Sequence, residues 1–359
     1  MHKTYSILLL LLAFRLYAQS VPNDSLTLIF VGDIMSHGPQ LRAAKQPNGQ
    51  FNYDENFFYI QAYFKSADFV LANLETTLGV KPYHGYPQFS APAALATACQ
   101  RAGINVLCTA NNHSCDKGRK GITKTIEILD SLNISHTGTF KNGQDKAQKN
   151  PLILKKNNRR IMVLNYTYGT NGLPVPSPAK VNIINKVKIK NDLKKARSLK
   201  PDLLLVFLHW GEQYQNHPNK RQKDLVNFLH QNGVHYIIGA HPHVIQDVTY
   251  NKINGNFTAF SLGNFISNQR SFPRDGSIML ELTFVPNAAD KLVIKNIKVH
   301  PLWVYKFKKA SKWHFQILPV EQFKFKPSYF TRNEDYQKMM HYYKHFNSYH
   351  FENLTKIKP

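Results

Sequence analysis

Acidic side chains are scarce in this chain: 22 Asp and Glu stand against 46 Lys and Arg, a formal net charge of +24 over 359 residues. An imbalance of that size points to an anionic partner, whether an acidic polymer, an anionic surface or nucleic acid. The plain alternative is a lysine-rich solvated surface. Cysteine is scarce as well. Cys99, Cys108 and Cys115 are too few and too closely spaced for a disulfide framework. Cys108 falls in an apolar run and reads as a small buried hydrophobe, and nothing around Cys115 spells a cysteine-ligated zinc cluster. Long apolar runs are missing too: Arg15 interrupts the stretch 7–13 well short of the ~20 residues a membrane span needs. With Lys3 before it and Leu16-Tyr17-Ala18 after it, residues 1–18 read instead as an export signal cleaved after Ala18, followed by a linker at 19–25. No lipobox-type cysteine is present. Export makes nucleic acid the poorest of the three partners. No internal period suggests a repeat array.

What is present is enough apolar residue, 43%, to bury a large core. Apolar, β-rich runs recur, each ending in a polar cluster. Residues 26–31 stop at Gly32-Asp33, 67–72 stop before Asn73-Leu74-Glu75, and 104–109 lead into Ala110-Asn111-Asn112-His113. The intervening segments 56–65, 92–102 and 121–132 have helical spacing, which makes strand, helix, parallel strand units. After a lysine-rich turn near Lys155 the scheme returns: strand 161–166, a proline-bearing loop at 173–178 and helix 187–199. Strand 203–208 then ends at His209-Trp210-Gly211-Glu212, helix 220–231 follows, and strand 235–238 ends at Gly239-Ala240-His241-Pro242-His243. Residues 257–262, 277–284 and 292–299 alternate and are β-branched, and are expected to form a second sheet. From about Tyr305 the chain is aromatic and basic, with a helix expected over 333–347. The domain is expected to run from 26 to 310, and residues 311–359 to form a C-terminal extension.

Five polar clusters thus share one address, just past the C-terminal end of a buried strand: Asp33, Asn73 with Glu75, Asn112 with His113, His209, and His241 with His243. In an α/β sheet those ends gather along one edge, so residues far apart in sequence converge. Carboxylates, an amide oxygen and imidazoles make a donor set for one or two divalent ions such as zinc, manganese or iron. Any one of these histidines alone would read as a hydrogen-bonded structural residue. The shared address carries the reading.

Gly32-Asp33-Ile34-Met35, Asn73-Leu74-Glu75, Ala110-Asn111-Asn112-His113-Ser114, His209-Trp210-Gly211, His241-Pro242-His243 and Ser261-Leu262-Gly263-Asn264-Phe265 resemble the ordered motifs of the poly-gamma-glutamate capsule biosynthesis family (CapA/PgsA-like). That family is similar in turn to calcineurin-like metallophosphoesterases. The resemblance implies an α/β sandwich with a dinuclear metal site at the strand C-terminal ends. By it, Asp33 matches the first-loop aspartate, and Glu75 or Asn73 stands where a bridging carboxylate is expected. Asn112-His113 matches the Asn-His pair, His209 the lone later histidine, and His241 and His243 the His-x-His pair. Met35 occupies the position where a histidine would complete Asp-x-His, and a thioether is a poor ligand for a hard cation. His37 lies two residues farther and is a candidate to compensate. A mononuclear site, a weak second site and a non-catalytic pocket are all open on that departure.

In an active site, His113 would protonate the leaving group or stabilise its charge. Asp116 would orient His113, or else be a turn residue before Gly118. Gly263 is expected at a bend with a structural role and Asn264 near the metal. Trp210, Tyr214, Tyr166 and Tyr168 would line a polymer cleft or else fill the core, and Glu212 would stand at the pocket rim or be solvated. The resemblance implies an exported protein that handles an acidic polymer such as poly-gamma-glutamate by metal-dependent hydrolysis or transfer, with membrane-bound capsule synthase subunits as partners and no nucleic acid. Two other classes fit the same residues. One is a metal-dependent phosphoesterase acting on a nucleotide, lipid head group or wall polymer; the other is a non-catalytic polyanion-binding protein.

Overall fold

The computed structural model describes residues 24–349 together with Phe351 and Leu354, so the expected export signal lies outside the described residues. The first half supplies four parallel strands, β1 (Leu26–Ile34), β2 (Phe69–Leu74), β3 (Val106–Cys108) and β4 (Ser135–Thr137). Helices α1 (Gly38–Ala44), α2 (Ala93–Ala102) and α3 (Gly118–Ser131) connect them. The expected helix over 56–65 is instead a 3₁₀ turn, Asp54–Phe57, and a single α turn, Gln61–Phe64. Its helical spacing reflects Phe57, Ile60 and Phe64, which the two turns bury just as well.

The second half builds its own sheet from β5 (Leu152–Lys156), β6 (Arg159–Thr167), β7 (Leu203–His209), β8 (Tyr236–Ala240), β9 (Val248–Asn251) and β10 (Asn256–Ala259), in the order β9-β10-β8-β7-β6-β5. Strands β6, β7, β8 and β10 are parallel. Helices α4 (Lys186–Ser198) and α5 (Lys220–Gln231) cover its outer face through Ile189, Leu193, Leu225 and Leu229. Each starts at an asparagine cap: Asn185 accepts from the Val187 and Lys188 N–H groups, and Asn219 forms a capping box with Gln222.

The chain then returns to the first sheet. Strands β11 (Gly276–Pro286), β12 (Leu292–Lys309) and β13 (Lys312–Pro319) add to the free edge of β1, giving the order β13-β12-β11-β1-β2-β3-β4. From their sequence alone, 257–262, 277–284 and 292–299 are expected together in one second sheet. Only β10, which covers 256–259, joins the second sheet, while β11 pairs antiparallel with β1. Alternation shows that a strand has two faces but does not name its neighbour. The boundary expected at 310 falls inside the β12–β13 hairpin, so 312–319 is an edge strand of the domain's own sheet. The terminal helix α6 (Asn333–Asn347) packs Met339 and Tyr342 on Trp303, Tyr305 and Leu318, and the Tyr342 hydroxyl donates to Ser277 O at 2.6 Å.

The two sheets pack face to face. Leu28 and Phe30 of β1, Leu71, Val106 and Leu280 meet Val163, Leu205, Phe207 and Ile238 of the second sheet in one apolar core. Alternate residues of the same strand, Ile29 and Val31, turn the other way onto α2 and its neighbours. Every central strand is therefore buried on both faces, which is why these strands read as continuous apolar runs. The result is an α/β sandwich of helix, sheet, sheet and helix layers. Among the described residues no helix is long and apolar enough to cross a membrane.

Candidate metal centre

The C-terminal ends of β1, β2, β3, β7 and β8 open at one edge of the sandwich. The register of β1 against β2 shifts between Val31 and Asp33, a bulge centred on Gly32. A Cβ at Gly32 would lie 1.8 Å from Gly263 O, and the Asp33 N–H donates to that same oxygen at 3.0 Å. The bulge re-aims Asp33 into the site, and Ser261-Leu262-Gly263-Asn264-Phe265 provides the surface against which it turns. Strand β2 delivers Asn73 and then Glu75, which is fully buried. Beyond β8 the chain takes φ +100° at His241 and +60° at His243, a left-handed backbone rare outside glycine. Strain of that kind persists where surrounding contacts fix it, and here it aims two imidazoles at the same point.

Two groups of potential ligand atoms result. Glu75, His209 and His241 form one; Asp33, Glu75 and His243 form the other; within each group the ligand atoms lie within 4.8 Å of one another. Glu75 belongs to both. Its Oε1 is 3.7 Å from His209 Nε2 and 3.7 Å from His243 Nε2. Of the two residues at the end of β2, Glu75 is the one common to both groups, and Asn73 is engaged elsewhere. Its side-chain nitrogen donates to Asp33 Oδ1 at 2.7 Å and lies 3.2 Å from His209 Nδ1. Asn112 joins the first group, its Oδ1 being 2.8 Å from His209 Nε2. Asn111 points away and donates to Leu74 O at 2.6 Å.

The polar satisfaction of these atoms is uneven. Glu75 Oε1 and Oε2, His241 Nδ1 and His243 Nε2 are buried without a hydrogen-bond partner. An unpaired buried polar group costs about 1–3 kcal/mol, more when charged. Burial, reinforced by Asp33, pushes the Glu75 carboxyl well above its usual range. Burial, reinforced by neighbouring imidazoles, pushes His209 and His241 well below theirs. Neutral imidazoles and a carboxylate starved of partners fit a divalent cation, which would restore the charge on Glu75 and take up the open lone pairs.

The two residues expected to do proton chemistry are also in contact. His113 Nδ1 is 2.7 Å from Asp116 Oδ2, and the same oxygen accepts from the Phe89 N–H at 2.6 Å. His113 packs edge-on against the Phe89 ring, with centroids 4.6 Å apart. Met35, Asn112, His113 and His243 line a cleft of about 1000 Å³ above the centre. His37 borders it but belongs to neither ligand group. Its Nδ1 accepts from the Asn268 N–H at 3.3 Å and lies 3.2 Å from Gln40 Oε1, and burial lowers its pKa to about 4. His37 does not take the position that Met35 leaves open.

Three contributors were not assigned these roles from sequence. Asn264 Oδ1 lies 3.0 Å from His243 Nδ1, the nitrogen that also faces Asp33 Oδ2 at 3.1 Å, so it fixes that ring's orientation. Asn171 accepts from Asn112 Nδ2 at 3.2 Å. Asn165 Oδ1 accepts from the Ala110 N–H at 2.7 Å and ties the β3 loop to β6. Only Asn264 had a visible signal, its place in a recurring motif. Tyr168 and Tyr214 are each 44% exposed at the cleft wall, whereas Tyr166 and Trp210 are buried.

Comparison with known proteins bears on the whole domain. The model of the bacterial capsule synthesis protein PGA_cap family matches residues 27–269. The capsule biosynthesis protein CapA of Bacillus anthracis is 30% identical over 261 residues, 69% of this chain and 61% of that protein. The match thus spans less than two thirds of that relative's length. The PGA biosynthesis protein CapA of Bacillus subtilis (strain 168) is 27% identical over 302 residues, 80% of this chain and 76% of that protein. Among solved structures, a putative 5'-nucleotidase from Staphylococcus aureus aligns with TM-score 0.49 and 12% identity, over 88% of this chain and 57% of that one. The calcineurin-like phosphoesterase YfkN from Bacillus subtilis aligns with TM-score 0.44 and 11% identity, over 91% and 98%. Structural likeness at that level assigns no residue a role. The match to the family model over most of the sandwich, metal-site motifs included, is of another order: the chain belongs to the bacterial capsule synthesis protein PGA_cap family.

Proposed function

We propose that this chain is an exported capsule-biosynthesis protein that cuts or transfers an acidic polymer of the poly-gamma-glutamate kind, using divalent ions held around Glu75. The observation that supports it most is the set of unpartnered buried atoms on Glu75, His241 and His243 beneath the cleft. Asp33, Glu75 and His243 would hold one ion, and Glu75, Asn112, His209 and His241 the other. When bound, divalent ions polarise the scissile group and make the attacking water more acidic. The remaining work belongs to the chain. Asp116 holds His113 through Nδ1, which leaves the other ring nitrogen to give a proton to the departing group. The excess of cations favours an anionic partner. Export rests on residues 1–18, and membrane-bound capsule synthase subunits are the partners such a role calls for.

One observation favours a smaller phosphoester substrate instead. Lys117 is the single Lys or Arg among the residues lining the cleft, whereas other cations crowd elsewhere, as Lys180, Lys188 and Lys195 do around Lys146. A single experiment separates the readings: protein purified without chelator is assayed for bound metal, for shortening of poly-gamma-glutamate, and for hydrolysis of a generic phosphodiester. Chelator-sensitive shortening is the expected result. Phosphodiester turnover with the polymer untouched would move the assignment to a phosphoesterase, and absence of bound metal would overturn both.

A further inference from the structure

Tyr168 separates two cavities. On one side its ring lies 4.6 Å from His241 and 6.3 Å from His209 between centroids, forming part of the metal cleft. On the other it borders a second cavity of about 400 Å³, within the ~300–1000 Å³ typical of small-ligand sites. Trp210, Leu225 and Ile184 give this cavity an apolar floor.

Its back wall is rigid. Gln222 is buried and donates to Gln246 Oε1 at 3.0 Å, and Gln246 donates in turn to Gln215 O at 2.7 Å. Gly211 takes φ +87°, and a Cβ there would lie 2.7 Å from the Gln222 side chain, so the loop after β7 closes tightly on that wall. The Trp210 indole N–H donates to Phe260 O at 2.9 Å.

The rim carries two carboxylates and two cations. Asp224 is paired with Lys220 at 2.7 Å, and Glu212 accepts from the neutral Asn219 amide at 3.2 Å, with no cation bonded to it among the described residues. Its two cations are not paired with a carboxylate. Lys186 rests 5.2 Å over the Phe228 ring, and Arg221 is exposed with no hydrogen bond or ion pair among the described residues. A preformed pocket with an apolar floor and unpaired cations is suited to a short aliphatic unit bearing a carboxylate.

We propose that this cavity is a subsite for the acidic unit adjoining the scissile bond, with Arg221 and Lys186 binding its carboxylate and Trp210 and Tyr168 its aliphatic part. The proposal rests on the acidic-polymer reading and adds residues that set its specificity. A planar guanidinium matches a carboxylate bidentately, which a neutral amide does not.

The test is fluorescence anisotropy of a labelled γ-glutamyl oligomer, added to the full chain loaded with manganese. Arg221→Gln is expected to weaken binding about ten-fold or more, the loss of one charge-assisted contact. Lys295→Gln, at an exposed position of β12 in the other sheet, should leave it unchanged. An oligomer whose carboxylates are amidated should not distinguish Arg221→Gln from wild type. Equal effects of the two substitutions, equal losses with the amidated oligomer, or no binding by the wild type would each overturn the subsite. So would loss of bound metal in Arg221→Gln. Failure of the functional reading looks different: the oligomer binds and depends on Arg221, yet no chelator-sensitive shortening follows.

Discussion

One half of the centre, Glu75 with His209 and His241, has Asn112 Oδ1 2.8 Å from His209 Nε2 and so offers four donors; the other, Asp33 with Glu75 and His243, offers three. The difference lies in β1. After Asp33 the chain presents Met35, and His37 is held by Asn268 and Gln40. The lesson is that a shared carboxylate does not make two equal sites. On the proposed reading, the four-donor half is expected to keep its ion and the three-donor half to hold one more weakly.

The largest expected effect comes from removing what the halves share. Glu75→Gln should abolish binding of both ions and should not destabilise the metal-free protein, because Glu75 has no hydrogen-bond partner there to lose. Elemental analysis and chemical denaturation in chelator would check both. A less stable metal-free variant would mean Glu75 has partners in the fold, and the comparison would break. Next, His241→Ala should remove the tight ion and His243→Ala only the weak one, read as a stoichiometry near zero against near one after dialysis. Equal losses would erase the asymmetry. Asn264→Ala, which leaves Asp33 as the remaining partner of His243 Nδ1, should weaken the second ion by about 10–100-fold and leave the first alone. Met35→His should do the opposite and raise retained metal toward two per chain.

The last expected effect is on pH. In metal-free protein His37, His209 and His241 have pKa values below that of a free imidazole. The unfolded chain then binds more protons than the folded one below pH 6.5, so stability is fully present above 6.5 and falls as pH drops toward 4, by about 1.4 kcal/mol per pH unit for each such group. Glu75 acts with the opposite sign, since its raised pKa lets the folded state take up a proton on acidification. Denaturation at pH 7.5 and 5.5 should therefore show a steeper acid loss in Glu75→Gln than in wild type.

Much of this was legible in the sequence for one reason: a parallel strand buried on both faces is an unbroken apolar run, and its end marks the site edge. That placed Asp33, Glu75, Asn112, His209, His241 and His243 together before any coordinates. What stayed hidden depended on partners. Asn73 and Glu75 are two apart and share a face, and only the amide bonded to Asp33 tells them apart. The β12–β13 hairpin turns on Ala310 and Ser311, both at positive φ, without the Asn-Gly or Asp-Gly signature that usually marks such a turn. A reading of sequence alone therefore ends the domain there.

The three cysteines carry a consequence of their own. All are buried and unbridged; burial raises the thiols of Cys99 and Cys108 far above their usual range and that of Cys115 to about 11. Burial and the raised thiol pKa values both disfavour attack by oxidants and alkylating reagents on the folded protein near neutral pH. They sit at three depths: Cys99 on the outer helix α2, Cys108 on β3 between the sheets, and Cys115 in the loop that carries His113. Each becomes reactive only when its own layer opens. The chain thus comes with three native clocks, and the order in which they start would report whether the sandwich loosens from its outside, its seam or the edge where its strands end.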